Sequence, residues 1–202
     1  MYDFTYQRAT SRDDAAVKLA AAAEGAYLAG GMTLLATMKQ RLANPSDLVD
    51  LGGIGDLTGI HRDGDSVVVG AMASHAAVAA DADLRSAIPA LADLVGGIGD
   101  PQVRNRGTIG GSIANADPAA DYPAAVVALG ATVCTTAREI AADDMFTGMF
   151  ETALNEGELI TEVSFPVPEA ACYAKFANPA SRYAIVGVMV AMTGSSVRVA
   201  VT

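Results

Sequence analysis

The first fifty residues alternate between short apolar runs and helical patterns, and this alternation limits the folds open to the chain. Strands are predicted in the runs YDFTYQ, AYLAGG and SDLVDL. Helices are predicted between them, from Ser11, a residue type that caps helix N-termini, to Gly25, and from Thr33 to Ala43. The second helix carries four apolar residues on one face: Leu34, Leu35, Met38 and Leu42. The resulting order, strand, helix, strand, helix, strand, is that of an α/β unit.

Beyond Gly52 the pattern changes to short strands with turn signals. Asp63-Gly64 lies between two apolar runs and predicts a hairpin turn. The stretch DLRSAIPALADLVGGIG predicts one helix, and ELITEVSFPVP alternates like a strand. From Cys172 onward we expect a helix or a strand pair and then one more strand with no partner left to pack on.

The charge balance restricts the classes of partner. The 202 residues include 51% hydrophobic and 18% charged residues, with a formal net charge of -10. Nucleic-acid binding requires clustered Lys and Arg, so the composition argues against it. An acidic protein that binds an anion must do so locally, and backbone amides at the start of a helix are suited to that task.

The chain has two cysteines, Cys134 and Cys172, and two histidines, His61 and His75. These are too few for a disulfide framework or a four-thiolate cluster, and their spacing shows no metal site. The N-terminal residues lack the pattern of a signal peptide, and no charge-free apolar run of about 20 residues occurs. We therefore expect a soluble cytoplasmic protein.

Two glycine-rich loops are the candidate binding elements. In AGGMT, Gly30 and Gly31 lie where a predicted strand meets a predicted helix, so that free N–H groups there could meet a phosphate. In RNRGTIGGSIANADPAAD, glycines follow two arginines and precede two carboxylates, Asp117 and Asp121. Neither loop matches the G-x-G-x-x-G or G-x-x-x-x-G-K-[ST] pattern, and a plain turn is the alternative interpretation of each.

Five stretches in this order resemble the FAD-binding medium subunits of molybdenum hydroxylases, including those of aerobic carbon monoxide dehydrogenases. The stretches are AGGMTLLATMKQRLANPSDLVDL, VVVGAMASHAAV, DPQVRNRGTIGGSIANADPAADYPAAVVALGA, FTGMFETALNEGELITEVSFPVP and YAKFANPASRYAIVGV. The likeness spans nearly the whole chain, and RNRGTIGG is its most specific part.

The resemblance implies an α+β protein with the vanillyl-alcohol-oxidase/PCMH-type FAD-binding fold. Residues 1–55 and 56–168 would form two α/β subdomains that hold FAD between them. Residues 169–202 would start a C-terminal α/β domain that is incomplete here, because in the family this domain runs well beyond the position of Thr202.

The resemblance also implies partners and site residues. Family members assemble with a small subunit carrying two [2Fe-2S] clusters and a large molybdopterin subunit, as a dimer of heterotrimers, and electrons leave from the flavin. The two loops would hold the FAD diphosphate, and Asp121 would contact FAD hydroxyls. Ile160 would pack near the flavin and adenine region, and Lys175 and Tyr183 would approach the isoalloxazine ring. The predicted FAD-binding residues are Ala29, Gly30, Gly31, Met32, Thr33, Leu34, Thr108, Ile109, Gly110, Gly111, Ser112, Asp121, Ile160, Lys175 and Tyr183.

Several side chains have a structural alternative. Lys175 could be a surface lysine, and Tyr183 a buried strand tyrosine. For His75 we favour a histidine at the end of a hairpin, bonded to backbone, over a proton-transfer role. For Arg104 and Arg106 we favour a structural role, through pairing with Asp100 or Asp117, over phosphate binding.

The residues are compatible with three functions. The first is an FAD-dependent electron-transfer subunit with no catalytic residue of its own for organic substrates. The second is a self-sufficient flavin oxidoreductase of the same superfamily, for which we find no candidate acid or base. The third is a non-catalytic nucleotide-binding or assembly protein.

Overall fold

The computed structural model describes residues 1–202. The N-terminal elements are β1 (Thr5–Arg8), α1 (Arg12–Ala21), β2 (Gly25–Leu28), α2 (Leu34–Lys39) and β3 (Asp47–Asp50). The predicted alternation is confirmed, and the three strands form a parallel sheet in the order β1-β3-β2. Ser11 caps α1, because its side chain accepts a hydrogen bond from the backbone N–H of Asp14.

Helix α2 is shorter than predicted. It ends at Lys39, and Arg41 adopts a left-handed conformation with φ 63°. The backbone N–H groups of Arg41 and Leu42 turn back to the carbonyls of Met38 and Thr37. This closure ends the helix and leaves Leu42 75% exposed, so the prediction that Leu42 shares the buried face is wrong.

The central elements begin with a short 3-10 turn at Gly55–Leu57. They continue with β4 (Ile60–Asp63), β5 (Ser66–Gly70), α3 (His75–Ala80), α4 (Ala82–Ala87), α5 (Pro89–Gly96), α6 (Pro101–Arg106), α7 (Ile109–Asn115), α8 (Asp121–Ala128), β6 (Thr132–Thr135), β7 (Glu139–Ala141), α9 (Ala142–Met145), β8 (Phe146–Gly148), β9 (Glu151–Thr152) and β10 (Ile160–Pro166). Five of the strands form an antiparallel sheet in the order β4-β5-β10-β6-β7. The hairpin predicted at Asp63-Gly64 joins β4 to β5, and Gly64 has φ 55°.

The helix predicted in DLRSAIPALADLVGGIG is two helices, α4 and α5. Pro89 is the first residue of α5, and Ile88 before it has φ -136° and ψ 68°. A residue that precedes proline is disfavoured in the helical region, because its N–H and Cβ clash with the proline ring. The break therefore falls at Ile88.

The main core lies between this sheet and the helices, with 31 buried residues. Val67, Val163 and Phe165 from the sheet are fully buried, as is Tyr122 from α8. Burying a side chain of this size contributes about 2–3 kcal/mol. The core fixes α7 against this sheet and α8 beside α7, and both helices bear candidate site residues.

The C-terminal elements are β11 (Ala170–Ala177), β12 (Ala184–Thr193) and β13 (Ser196–Val201), an antiparallel sheet in that order. Its inner face places Met189, Ala191 and Ala200 in the main core, where β12 and β13 contact α8. The prediction that the last strand has no packing partner is therefore wrong. Tyr183 lies in the turn before β12 and is 47% exposed, which excludes the buried strand tyrosine.

The strands of the three larger sheets fall within residues 1–55, 56–168 and 169–202 respectively. The division into domains at those positions stays a prediction. None of the helices has the length and apolar character needed to cross a lipid bilayer.

Candidate functional site

A cavity of about 540 Å³, within the usual size range of ligand pockets, lies between the first loop, the residues around α6 and α7, the start of β10 and the turn between β11 and β12. The structure brings 13 of the 15 predicted residues to its wall. They are Ala29, Gly30, Gly31, Met32, Thr33, Leu34, Thr108, Gly110, Gly111, Ser112, Asp121, Ile160 and Tyr183.

Two predicted residues, Ile109 and Lys175, are not part of this wall. Ile109 is the first residue of α7 and is fully buried in the main core. Lys175 lies beside Asp121, with its side chain 11% exposed, so it is not a surface lysine either.

The first loop offers backbone donors to the cavity. The N–H groups of the six consecutive residues 29–34 donate no hydrogen bond within the protein. All six residues line the cavity, and Gly31 turns the chain with φ 74°. Backbone N–H groups without an acceptor in the protein are free to bond water or a ligand, and an anionic group in the cavity would accept from them.

The second loop differs, because most of its amides are already used. The N–H of Ile109 donates to the carbonyl of Ala73 at 3.2 Å, and that of Gly110 to the carbonyl of Ala71 at 2.8 Å. Gly111 N–H donates to the Thr108 hydroxyl at 3.2 Å, so that Thr108 caps α7. Of the residues 108–112, only Thr108 therefore has a backbone N–H without an acceptor in the protein.

The two loops touch each other. A β-carbon on Gly30 would lie 2.1 Å from the carbonyl oxygen of Arg106, and one on Gly111 would lie 3.5 Å from the β-carbon of Ala29. A glycine at a strand-to-helix junction can serve to let a phosphate approach the backbone. The structure shows that Gly30 lets the second loop approach, which fixes the position of the first loop.

Arg104 and the acids around α6 have structural roles, although not by the predicted pairing. The guanidinium of Arg104 donates to the carbonyls of Ile98 and Gly99, both at 3.0 Å, instead of pairing with a carboxylate. Asp100 caps α6 by accepting a hydrogen bond from the N–H of Val103 at 2.8 Å. Asp117 accepts from the N–H of Ala119 at 2.9 Å, as expected for a residue that forms the loop.

Asp121 lies at the start of α8, is 4% exposed, and holds two partners from β11. Lys175 Nζ donates to its Oδ2 at 2.8 Å, and the hydroxyl of Tyr173 donates to its Oδ1. Burial, and then the hydrogen bond to this carboxylate, raise the pKa of Tyr173. Both carboxylate oxygens of Asp121 are therefore engaged within the protein.

His75 is a cavity residue that the sequence did not identify as one. It follows the N-cap residue Ser74 at the start of α3, and its backbone N–H donates to the carbonyl of Gly107 at 2.9 Å. The ring is 5% exposed, Nδ1 has no partner, and the ring centroid lies 5.5 Å from that of Tyr122. Burial, and then the charge of Arg104, lower the pKa of His75 to about 4.

Other cavity residues also escaped the sequence analysis, among them Asn115, Glu158 and Arg182. Arg182 is next to Tyr183 in the sequence, and this proximity to a predicted site residue was the one signal that could have identified it. The structure groups no three His, Cys, Asp or Glu side chains in positions to hold a metal ion.

Comparison with known proteins agrees with this geometry. The family model described as the FAD binding domain in molybdopterin dehydrogenase matches residues 2–168. The carbon monoxide dehydrogenase medium chain of Afipia carboxidovorans is 41% identical over 200 residues, which is 95% of this chain and 69% of that protein. The nicotine 6-hydroxylase medium subunit of Paenarthrobacter nicotinovorans is 35% identical over 199 residues, which is 96% of this chain and 70% of that protein.

A solved structure of carbon monoxide dehydrogenase from Hydrogenophaga pseudoflava superimposes with a TM-score of 0.94 and 35% sequence identity. The match covers 100% of this chain and 75% of the other. It confirms the predicted α+β FAD-binding fold. The chain therefore belongs to the FAD-binding family of the molybdopterin dehydrogenases, and it is an oxidoreductase flavoprotein, an FAD-binding medium subunit of the molybdenum hydroxylases.

Proposed function

We propose that this chain holds one FAD in the cavity and transfers electrons between protein partners and an external acceptor. In this account, reduced [2Fe-2S] clusters of a small partner subunit supply the electrons. Those clusters are themselves reduced from the molybdopterin cofactor of a large subunit. NAD, a quinone or oxygen would take the electrons from this subunit.

The observation that carries the proposal is the run of six unpaired backbone N–H groups at residues 29–34. A diphosphate carries negative charge and many acceptor oxygens, and hydrogen bonds to charged acceptors contribute more than neutral ones. The loop presents these donors without a lysine or arginine of its own. This fits a protein with a net charge of -10 that binds an anion locally.

The rest of the cavity wall fits the other parts of FAD. Half of its lining residues are hydrophobic, among them Leu154, Leu159 and Ile160, which suits the adenine base. Tyr27 and Tyr183 also line the wall, and their rings suit packing against an aromatic ring system. When bound, FAD supplies the one- and two-electron chemistry, and the residues of this chain bind it, orient it and set its electrostatic surroundings.

The proposed partners follow from the cofactors that this chain cannot supply. A [2Fe-2S] cluster uses four thiolates, and the chain has two cysteines, Cys134 and Cys172. The relatives are medium chains or subunits, and the Hydrogenophaga pseudoflava structure is that of a carbon monoxide dehydrogenase lacking the Mo-pyranopterin moiety of its molybdenum cofactor. We therefore place the clusters and the molybdopterin on partner subunits, in a dimer of heterotrimers.

Heat release of the bound cofactor tests the proposal. The purified chain is denatured by heat, and the cofactor released into the supernatant is identified by its absorbance spectrum. The amount of flavin is then divided by the amount of protein. We expect about one FAD per chain, and co-purification of an iron-containing small subunit and a molybdenum-containing large subunit from the native source. Protein without flavin would refute the FAD site. Protein that carries flavin but purifies alone would favour a self-sufficient flavoenzyme.

A further inference from the structure

The wall of the cavity holds a single Lys or Arg side chain, Arg182. The other charged groups there are carboxylates: Asp117, Asp121 and Glu158. Asp121 is paired with Lys175, and Glu158 with Arg138. Arg182 and Asp117 are therefore the cavity charges without an ion-pair partner of their own.

The backbone of Arg182 is held in a conformation that non-glycine residues seldom adopt, with φ 62°. Its N–H donates to the carbonyl of Asn178 at 2.8 Å, and the N–H of Asn178 donates to the carbonyl of Tyr183 at 2.8 Å. The side chain of Asn178 accepts from the N–H groups of Ala180 and Ser181. A strained residue that its surroundings fix so fully is a candidate for a functional role.

Helix α6 places Arg182 away from the amides of the first loop. The guanidinium faces the carbonyl of Gly99 at 3.4 Å, just before α6 begins, whereas Gly30 packs on Arg106, where α6 ends. Six residues at 1.5 Å of rise separate these ends by about 9 Å. Gly30 thus lies about one α6 length from Gly99, and we assign Arg182 to a part of the ligand other than the diphosphate.

We propose that Arg182 faces the flavin end of FAD and stabilises the reduced, negatively charged form of the flavin ring. On reduction the ring takes up two electrons and one proton, and it ends with one negative charge. A cation nearby favours this form over the neutral oxidised ring, and the unpaired carboxylate of Asp117 opposes it. The inference rests on the proposed function, since it needs FAD in the cavity and a donor that reduces it.

The test is the two-electron midpoint potential of bound FAD, measured by equilibration with a redox dye and a soluble reductant. A unit charge at about 6 Å changes an equilibrium by about 3-fold to about 100-fold as the effective dielectric constant goes from about 80 to about 20. Arg182 is exposed, so we expect Arg182→Gln to disfavour the reduced form about tenfold. That change lowers a two-electron midpoint potential by about 30 mV.

Three further variants make the result specific. Arg182→Lys keeps the charge and should keep the potential, whereas Asp117→Asn removes the opposing charge and should raise it. Arg62→Gln is the matched control, because Arg62 also donates to a glycine carbonyl, that of Gly64, but lies outside the cavity wall. It should leave the potential unchanged.

The inference fails if Arg182→Gln has the potential of the original chain, or if Arg62→Gln shifts it equally. If Arg182→Gln does not retain FAD, the Asp117→Asn and Arg182→Lys variants decide. The inference then fails if Asp117→Asn does not raise the midpoint potential, or if Arg182→Lys lowers it. Absence of FAD from the unaltered chain would overturn the proposed function and this inference with it. Bound FAD with no response to Arg182 would overturn the inference alone.

Discussion

Gly30 of the first loop faces the carbonyl oxygen of Arg106 so closely that a β-carbon on Gly30 would lie 2.1 Å from that oxygen. The oxygen belongs to the backbone, so no side-chain rotation can relieve the contact. The free amides of the first loop therefore keep their positions only while residue 30 has no side chain.

The first prediction follows from this contact. Gly30→Ala should push the two loops apart and weaken FAD binding about tenfold or more, because overpacking costs about 1–3 kcal/mol. FAD retained per chain, and the dissociation constant from fluorescence titration, measure the effect. The control is Gly59→Ala, where nothing lies within 4 Å of the added carbon. Equal FAD binding by both variants would contradict the role given to Gly30.

The second prediction contrasts the two loop threonines. Thr108 caps α7 through its hydroxyl, whereas Thr33 makes no capping bond with its side chain. Thr108→Ala should lower the free energy of unfolding by about 1 kcal/mol, and Thr108→Ser should restore most of it. Thr33→Ala should change stability by less than about 0.5 kcal/mol but weaken FAD binding about fivefold, through the loss of one hydrogen bond. Urea unfolding and FAD titration separate the two outcomes. An unaltered FAD affinity in Thr33→Ala would show that the Thr33 hydroxyl does not contact FAD.

The third prediction concerns the buried pair of Asp121 and Lys175, whose side chains are 5% and 11% exposed. Asp121→Asn leaves the ammonium of Lys175 without its partner in a dry site, so we expect a loss of about 3 kcal/mol in the free energy of unfolding. Lys175→Met should cost a similar amount. The double variant should lose less than the two single losses added, because it leaves no unpaired charge. Strict additivity in urea unfolding would mean that the pair contributes little.

The fourth prediction is a pH dependence that His75 imposes on folding. Its pKa is about 4 in the folded chain against an ordinary value of 6.5, so the unfolded chain binds the proton more tightly. Stability is then full above pH 6.5 and falls as the pH drops from 6.5 to 4, by about 2 kcal/mol between pH 7 and pH 5. Glu158 has its pKa lowered to about 2, so its contribution to stability is lost mainly below pH 4.5, outside the interval from pH 7 to pH 5.

Urea unfolding at pH 7 and pH 5 checks the histidine, with His75→Gln as the comparison. The variant should lose that part of the pH dependence. An identical pH dependence in both proteins would show that the imidazole is not held neutral by its surroundings.

Local chemistry made part of the fold predictable. The alternation of β1, α1, β2, α2 and β3 was visible because each element is short and bounded by capping or turn residues. The hairpin at Asp63-Gly64 was predicted for the same reason. Pro89 carried the signal for the break between α4 and α5, but the apolar pattern on both sides of it favoured one helix.

Contacts distant in sequence could not be predicted in the same way. Gly30 meets Arg106, and Asp121 meets Tyr173 and Lys175, across 52 and 54 residues in the latter two cases. The amides of the second loop are used by the carbonyls of Ala71 and Ala73, which no local pattern reveals. The sequence thus indicated where the site lies, whereas the division of labour between the loops depends on packing.

The central claim is that the amides of residues 29–34 bind the diphosphate of FAD. A crystal structure of the chain with FAD tests it most directly, through the distances from these nitrogens to the phosphate oxygens. The account predicts at least two such distances at about 2.7–3.2 Å, with Gly30 still packed on Arg106. A diphosphate bound elsewhere in the cavity, with these six N–H groups facing water, would contradict it.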